Sequence, residues 1–441
     1  MSIVWFLFAL CLLPQEEDLR DLSGMLEQDV ASIKDNESLN PSNAQFKKLL
    51  YRTGTVDAAV LRQWSARSKD VSVDQLAADP AAFRFHPFSM DAKANSIQRF
   101  DFAPKDAKDF LSGFYFANCQ TKEGVDFVLV SRSSIASWQG IQDLGQPQPI
   151  RFDGFYMGNF IVNPGQENQA TAKPVFIARR FAWFPDQENK ALEVDALKVA
   201  LAKEDVDISL LDIVKSRKGK PIGNRESTCY WQMMAASKAV AATDPDNRID
   251  FATMLRKPIQ SVGKTAALRG RVRQCVPVTV TSPEVRELLG VDTWFQVTIF
   301  PDLDGRPIEV GTRDGDPEVY QNAFPVTVCM VNLPQGYDFE SIVGNTFQCS
   351  GVFYRIWAYP SERTDKSNEL RKNKKNPLSQ PSPLIMGASM VKVESTSGQL
   401  QTMLGAILLA MFVMIGFVGW FVHRSKKPVS RTELPDQIEA W

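Results

Sequence analysis

The sequence predicts an α+β chain, mainly β: two tandem copies of a helical preface plus a five-stranded OB-like small barrel, followed by one transmembrane helix. Three observations predict it. Four landmarks recur in the same order in both halves, short β-rich runs stand between turn residues, and one long uncharged run lies near the C-terminus.

The recurrence is explicit. Val71-Ser-Val-Asp-Gln-Leu76-Ala-Ala-Asp-Pro80 aligns without gaps on Ile249-Asp-Phe-Ala-Thr-Met254-Leu-Arg-Lys-Pro258. Upstream of each lies a short helical pattern, Phe46, Leu49 and Leu50 in one copy and Tyr230, Met233 and Met234 in the other. Downstream, Ile150-Arg-Phe-Asp-Gly154-Phe-Tyr matches Phe347-Gln-Cys-Ser-Gly351-Val-Phe. Each copy then crosses a polar loop to a further apolar run, Pro174–Ala178 or Pro383–Gly387.

Each copy offers five strands. In the first they are expected at Phe83–Ser89, Phe110–Asn118, Asp126–Ser131, Pro149–Ile161 and Val175–Trp183. In the second they are expected at Ala266–Val280, Thr293–Phe300, Pro325–Val331, Thr346–Tyr359 and Pro383–Val393. They are rich in Val, Ile, Phe, Thr and Tyr, residues that fit a pleated, half-buried surface. Five strands left flat would expose two edges, so closure into a barrel is the natural solution. Between the copies, Asn189 to Lys215 reads as helical, with Leu192, Leu197 and Leu201 on one face. Leu19, Leu22, Leu26 and Ile33 fall at near-heptad spacing on an acidic helix, but Asp29 interrupts the seam. This segment reads as a helix packed on the first barrel or as a short coiled coil.

Met403 to Val422 contains no charge, and roughly 20 helical residues cross a bilayer's hydrocarbon core. His423, Arg424, Lys426, Lys427 and Arg431 follow it, whereas Ser395 to Thr402 carry no positive charge. Basic flanks stay cytoplasmic, so 423–441 is expected inside and Gln15 to Gln401 outside. Ile3 to Leu13 is too short to span, so 1–14 reads as a signal peptide or a short N-terminal anchor. The expected divisions are thus 1–14, a first module at 15–185, a second at 186–397, the span at 403–422 and the basic tail.

A net charge of −1 gives no electrostatic reason to expect nucleic acid. Six cysteines without a CxxC pair argue against a zinc or thioredoxin-like site, and no cofactor is expected. Of two histidines, His86 falls in the first strand of copy one with no nucleophile elbow to serve, and His423 stands at the membrane boundary. Asp302-Leu-Asp304-Gly305 and Asp314-Gly315-Asp316 lack the remaining ligands of a calcium loop and read as turns. Cys275 and Cys349 fall on neighbouring strands, which leaves a disulfide or buried thiols as alternatives. Lys366, Arg371, Lys372, Lys374 and Lys375 crowd the loop between the fourth and fifth strands of copy two. They are the candidate anion or polymer contact, weighed against a merely solvated charge run.

The order of landmarks resembles an uncharacterised group of membrane-anchored envelope proteins from planctomycete bacteria. The residues that carry it are Pro174-Val-Phe-Ile-Ala-Arg-Arg-Phe-Ala-Trp183, Val206-Asp-Ile-Ser-Leu-Leu-Asp212, and Glu226 to Met234. The resemblance implies an envelope location and a duplicated β-module, and it implies no reaction. The sequence reading is therefore a non-enzymatic envelope protein that binds another protein or a wall polymer while lipid holds residues 403–422. Its rivals are a membrane-tethered hydrolase working with carboxylates such as Asp101, Asp302, Asp304 and Asp316, and an accessory subunit of a transport complex.

Overall fold

The apolar runs of both halves become strands in the computed structural model, which describes residues 21–68, 71–102, 112–162, 171–243, 248–301, 307–310, 318–320, 324–360, 379–393 and 396–425. In the first half these strands are β1 (Pro87–Asp101), β2 (Gly113–Gln120), β3 (Asp126–Ser131), β4 (Asp143–Ile161) and β5 (Lys173–Ala178). In the second half they are β6 (Thr265–Thr279), β7 (Thr293–Pro301), β8 (Val326–Met330), β9 (Thr346–Tyr359) and β10 (Gln380–Lys392). Two compact units hold them and the rest of the chain, Met1–Val391 and Lys392–Trp441.

The second half closes into a five-stranded, OB-like barrel in the order β8-β10-β9-β6-β7. Strands β8 and β10 run parallel at the closure, with Thr327 opposite Leu384 and Met330 opposite Gly387. Leu268, Val272, Val297, Ile299, Val328 and Phe353 fill its interior. Each such side chain withdrawn from water contributes about 1.5–3 kcal/mol before entropy is charged against it.

The first half carries two short strands beyond the five expected there. Its five strands belong to a seven-stranded sheet, because Glu37–Ser38 and Ala182–Trp183 both add to the long β4. Within it β1 pairs with β2, β2 with β3, β3 with β5 in parallel, and β4 with both β1 and β5. The first strand also extends past the expected Ser89, while Phe83 belongs to a helix and His86 to the turn before the strand.

Local structure in the two halves follows the same rules of capping and backbone. Upstream of β1 lie α1 (Ala44–Thr53), α2 (Val73–Ala78) and α3 (Pro80–Phe83). The linker carries α4 (Ala196–Lys203) and α5 (Leu211–Ser216). Before β6 come α6 (Ser227–Thr243), α7 (Phe251–Arg256) and α8 (Pro258–Ser261). Ser72 caps α2 through the Gln75 amide, and Asp250 caps α7 through the Thr253 amide. Pro80 and Pro258 open the next helix, where a missing N–H costs nothing. Leu76 and Met254 are both fully buried. A register shift interrupts β1 between Ala94 and Ser96 and β6 between Val272 and Gln274.

Glycine is required at a matched crossing in the two halves. A Cβ on Gly154 would stand 2.6 Å from the Ile177 carbonyl oxygen, and one on Gly351 2.1 Å from that of Met386. Only hydrogen lets β4 approach β5, and β9 approach β10, so closely.

The helices α1 and α6 cover equivalent faces. Phe46, Leu49 and Leu50 pack on Val130, Phe155, Val175 and Ile177. Tyr230, Met233 and Met234 share a core with Cys329, Val352, Tyr354 and Met386, and the Ser237 hydroxyl donates to the Gly387 carbonyl at 3.1 Å. That second core continues into α4, α5 and the first sheet through Leu201, Val214, Trp183 and Phe176.

The linker is broken where one long helix is expected. Glu193 and Asp205 adopt positive φ, and α4 and α5 are separate short helices. The N-terminal helix spans only Glu27–Ala31, and Leu26 is 57% exposed, so no coiled-coil seam forms over these residues. Cys275 and Cys349 are buried free thiols. Cys349 stands opposite Leu268, so Cys275 lies about 20 Å further along β6, well beyond disulfide reach.

Before the second unit comes α9 (Pro283–Leu289), between β6 and β7. The second unit holds α10 (Thr396–Ser425), within which Gly405–Arg424 has a mean hydropathy of 2.4 and no buried residues. It is long and apolar enough to cross a membrane once.

Candidate functional site

A groove of about 470 Å³ lies on the second barrel. Strand alternation sets one wall. In β7, Trp294 and Gln296 point to the same face, two residues apart, while Phe295 points to the other. The end of β6 supplies Val278 and Thr279, and Ser282 and Val285 enter with α9. Helix α9 exists because Ser282 caps the Val285 amide, Pro283 starts it, and Gly290 ends it at φ +67°. The first turn of α6 contributes Ser227, Tyr230 and Trp231, and Trp357 closes the far side from β9.

Four aromatic side chains line this groove. Tyr230 and Trp231 meet edge to face at 4.8 Å, and Trp231 meets Trp294 at 6.0 Å with their planes 77° apart. Tyr230 also meets Tyr354 at 5.7 Å, which fixes its ring from below. The Trp357 indole N–H donates to the Thr327 hydroxyl at 3.2 Å, so its ring orientation is set by β8.

None of the described residues that line the groove carries a charged side chain. Burial raises the Tyr230 hydroxyl well above its ordinary pKa and pushes the Cys329 thiol up to about 12. These two groups lie 3.1 Å apart and stay neutral at physiological pH. The polar groups offered are amides and hydroxyls: Asn224, Gln296, Ser227, Thr279 and Ser282.

A buried ion cluster holds the groove's near wall. The Glu226 carboxylate is fully buried and accepts from Arg355 Nε at 2.9 Å, Arg355 Nη2 at 2.7 Å and Arg217 Nε at 2.9 Å. The Tyr354 hydroxyl and the Gly223 amide complete its partners, each at 3.3 Å. Arg355 donates further to the carbonyls of Lys220, Ile356 and Pro221. The cluster ties the stretch before α6, including Gly223 and Asn224, to β9.

The corresponding place in the first half is filled. By strand register, Phe100 and Phe114 stand where the second barrel has Val278 and Trp294, and Phe116 stands where it has Gln296. Phe46 of α1 packs on Phe114 at 5.0 Å, as Tyr230 of α6 approaches Trp294 at 6.2 Å. Phe100, Phe102 and Phe116 complete a cluster around Phe114 with ring separations of 4.9–5.3 Å.

A smaller cavity of about 180 Å³ is lined by Glu193, Lys198, Asp212 and Lys215 with Trp183 and Ser137. Here Asp212 pairs with Lys215 at 3.5 Å and accepts from the Ala136 amide at 3.4 Å. Its volume lies below the usual range for small-molecule sites, about 300–1,000 Å³.

Few of the sequence-derived candidates can be placed. Lys366, Arg371, Lys372, Lys374 and Lys375 lie outside the described residues, as do Asp302, Asp304 and Asp316. Asp101 is exposed and bonded to Arg99 at 2.7 Å, on no cavity named above. His86 is held in its turn, its amide donating to the Phe83 carbonyl at 3.0 Å and its carbonyl accepting from the Tyr156 amide. Among the described residues no group of acidic, histidine and cysteine side chains could hold a metal. Ile308–Val310 and Glu318–Tyr320 pair antiparallel, and the Asp314-Gly315 expected to turn lies between them, outside the described residues. Sequence reading missed the groove, although Tyr230-Trp231, Trp294 and Trp357 could have signalled it as aromatics at the ends of predicted elements.

The three segments that carried the family resemblance meet at a buried carboxylate. Asp207 Oδ1 accepts from the Trp183 amide at 2.9 Å and from Ser209, Oδ2 pairs with Arg180, and the Asp207 amide donates to Gln232 at 3.3 Å. Their shared role is to dock the linker on the first sheet.

No family model matches this chain, and no curated protein is similar to it. Among solved structures, a deletion mutant of the single-stranded DNA binding protein from Thermus aquaticus aligns over 71% of this chain and 96% of that chain. The identity is 7% and the TM-score 0.14, too low to carry an argument about fold or ligand.

Proposed function

We propose that this chain is a single-pass, non-enzymatic binding protein of the cell envelope, with duplicated β-modules outside the cytoplasm and its ligand groove on the second. The observation that carries the reading is the uncharged aromatic groove between Trp231, Trp294 and Trp357, whose counterpart in the first half is packed with phenylalanine. A duplication followed by division of labour accounts for that difference: one copy is structural and the other keeps a cavity.

Duplication is supported by the same strand pairings in both halves, including the parallel closure of the third strand on the fifth. It is supported further by the matched caps Ser72 and Asp250, the matched prolines Pro80 and Pro258, and the matched bulges. On this reading the first sheet is the same barrel enlarged by two short strands. The envelope assignment draws on the resemblance of the docking segments to the planctomycete group. The outward orientation draws on the cations that follow Val422.

The test uses the full chain in lipid nanodiscs. Retention on a cell-wall and membrane fraction is expected for the native chain and is lost in Gln296→Phe, which rebuilds the plug of the first half. Equal retention of both proteins would sink the groove reading. A reporter at the C-terminus is expected to be cytoplasmic, and one placed outside would reverse the orientation.

A further inference from the structure

The geometry points to an uncharged sugar as the occupant of the groove, an inference that rests on the binding role proposed above. Three features select this chemistry. The first is charge. A ligand carrying phosphate or carboxylate is best repaid for its desolvation by a cation, and the described lining offers no charged side chain. The second is the pairing of aromatic faces with neutral amides and hydroxyls. The C–H face of a pyranose ring is weakly positive and suits the negative face of an indole, while its hydroxyls suit Gln296 and Asn224 as donors or acceptors. The third is shape. About 470 Å³ falls in the range of small-molecule sites, so one or two rings fit where a docked helix would need a longer trough.

A lone apolar ligand fits less well. It would leave the Gln296 amide facing it unsatisfied. The first half supplies an internal comparison, since Phe116 there occupies the register position of Gln296 and the site is filled by rings of its own. Polarity at that position therefore goes with an open groove.

Two sources could supply the sugar, a free saccharide or a glycan strand of the envelope, and the experiment separates them. The full chain in nanodiscs is titrated with N-acetylglucosamine, chitohexaose and cellohexaose while tryptophan emission is followed, and with an uncharged hexapeptide and a dodecamer of thymidylate. A hexasaccharide is expected to shift the emission and to bind at least about tenfold tighter than the monosaccharide if the source is a glycan strand. Equal affinity of monomer and hexamer assigns a free sugar. Trp231→Ala and Gln296→Phe are each expected to weaken binding about tenfold or more, with unchanged far-ultraviolet dichroism and urea midpoint showing that the barrel is intact.

Binding of the hexapeptide but of no saccharide, abolished by Gln296→Phe, would overturn the sugar and leave the binding role standing. Binding of the oligonucleotide but of no saccharide, abolished by Gln296→Phe, would overturn it as well. Failure of every probe, together with unaltered envelope retention of Gln296→Phe, would remove both the sugar and the groove.

Discussion

Replacing Glu226 by Gln keeps the shape of the side chain and removes its negative charge from between two guanidiniums. The carboxylate is fully buried and Arg355 is 2% exposed, so the pair has little water to fall back on. Breaking a buried pair by neutralising one partner costs about 3–5 kcal/mol, because the other charge stays buried and uncompensated. Arg217 is 24% exposed and can turn to solvent, so most of the loss is assigned to Arg355. Urea denaturation followed by tryptophan emission reads the effect. At a slope of about 3 kcal/mol per molar, the midpoint should fall by about 1–2 M. The control is the double variant Glu226→Met with Arg355→Met, which removes both charges and should recover most of the loss. A single variant within about 1 kcal/mol of the native chain would refute the reasoning. So would a double variant no better than the single one, since the cluster would then stabilise through packing rather than charge. Loosening this cluster should also weaken ligand binding, because Gly223 and Asn224 line the groove.

Three further expectations test the fold and the anchor. Asp250→Ala should cost about 0.5–2 kcal/mol at neutral pH through loss of the α7 cap. Hydrogen bonds from Thr253 hold the Asp250 carboxyl below the usual carboxylate range, so its contribution is present above the unfolded pKa. The difference from the native chain should therefore vanish as pH falls through the lowered folded value, whereas the matched Ser72→Ala loss should not change with pH. Gly351→Ala should destabilise by about 1–3 kcal/mol or more, because its Cβ meets the Met386 carbonyl, and a urea midpoint equal to the native one would contradict the close approach. Met414→Arg places a charge mid-span at about 2.5–3.5 kcal/mol, and alkaline carbonate extraction should release more of the chain than from the native protein.

Much of the second barrel was legible in sequence because its strands are rich in β-branched and aromatic residues and stand between turn residues. Thr346–Tyr359 was expected and found at the same bounds, and Thr265–Thr279 differs by one residue at each end. Gly154 and Gly351 were legible as matched glycines, and their role at a strand crossing became visible only with the partner strand in place. Helix α9 was missed although Ser282, Pro283 and Gly290 spell out a cap, a first turn and a stop, since seven residues between strands read as a loop. The linker was over-read as continuous because Leu192, Leu197 and Leu201 keep helical spacing across Glu193, whose positive φ no pattern announced. The groove was legible only as separate aromatics at the ends of predicted elements. Its aromatics come from α6, β7 and β9, far apart in the chain, and local patterns carry no information on which distant ends meet.

The parallel closure of β8 on β10 has a consequence for the order of events during synthesis. Val326–Met330 cannot find its second neighbour until Gln380–Lys392 has been made, so the barrel is a structure of high contact order whose slowest step waits for its last strand. That strand ends at Lys392 and the apolar helix begins at Thr396. Until then β8 and β9 present unpaired edges, the surfaces most prone to joining other chains. Barrel closure and completion of the apolar helix thus fall in the same short interval of elongation, and delay in either leaves both an open sheet and an exposed apolar helix at once.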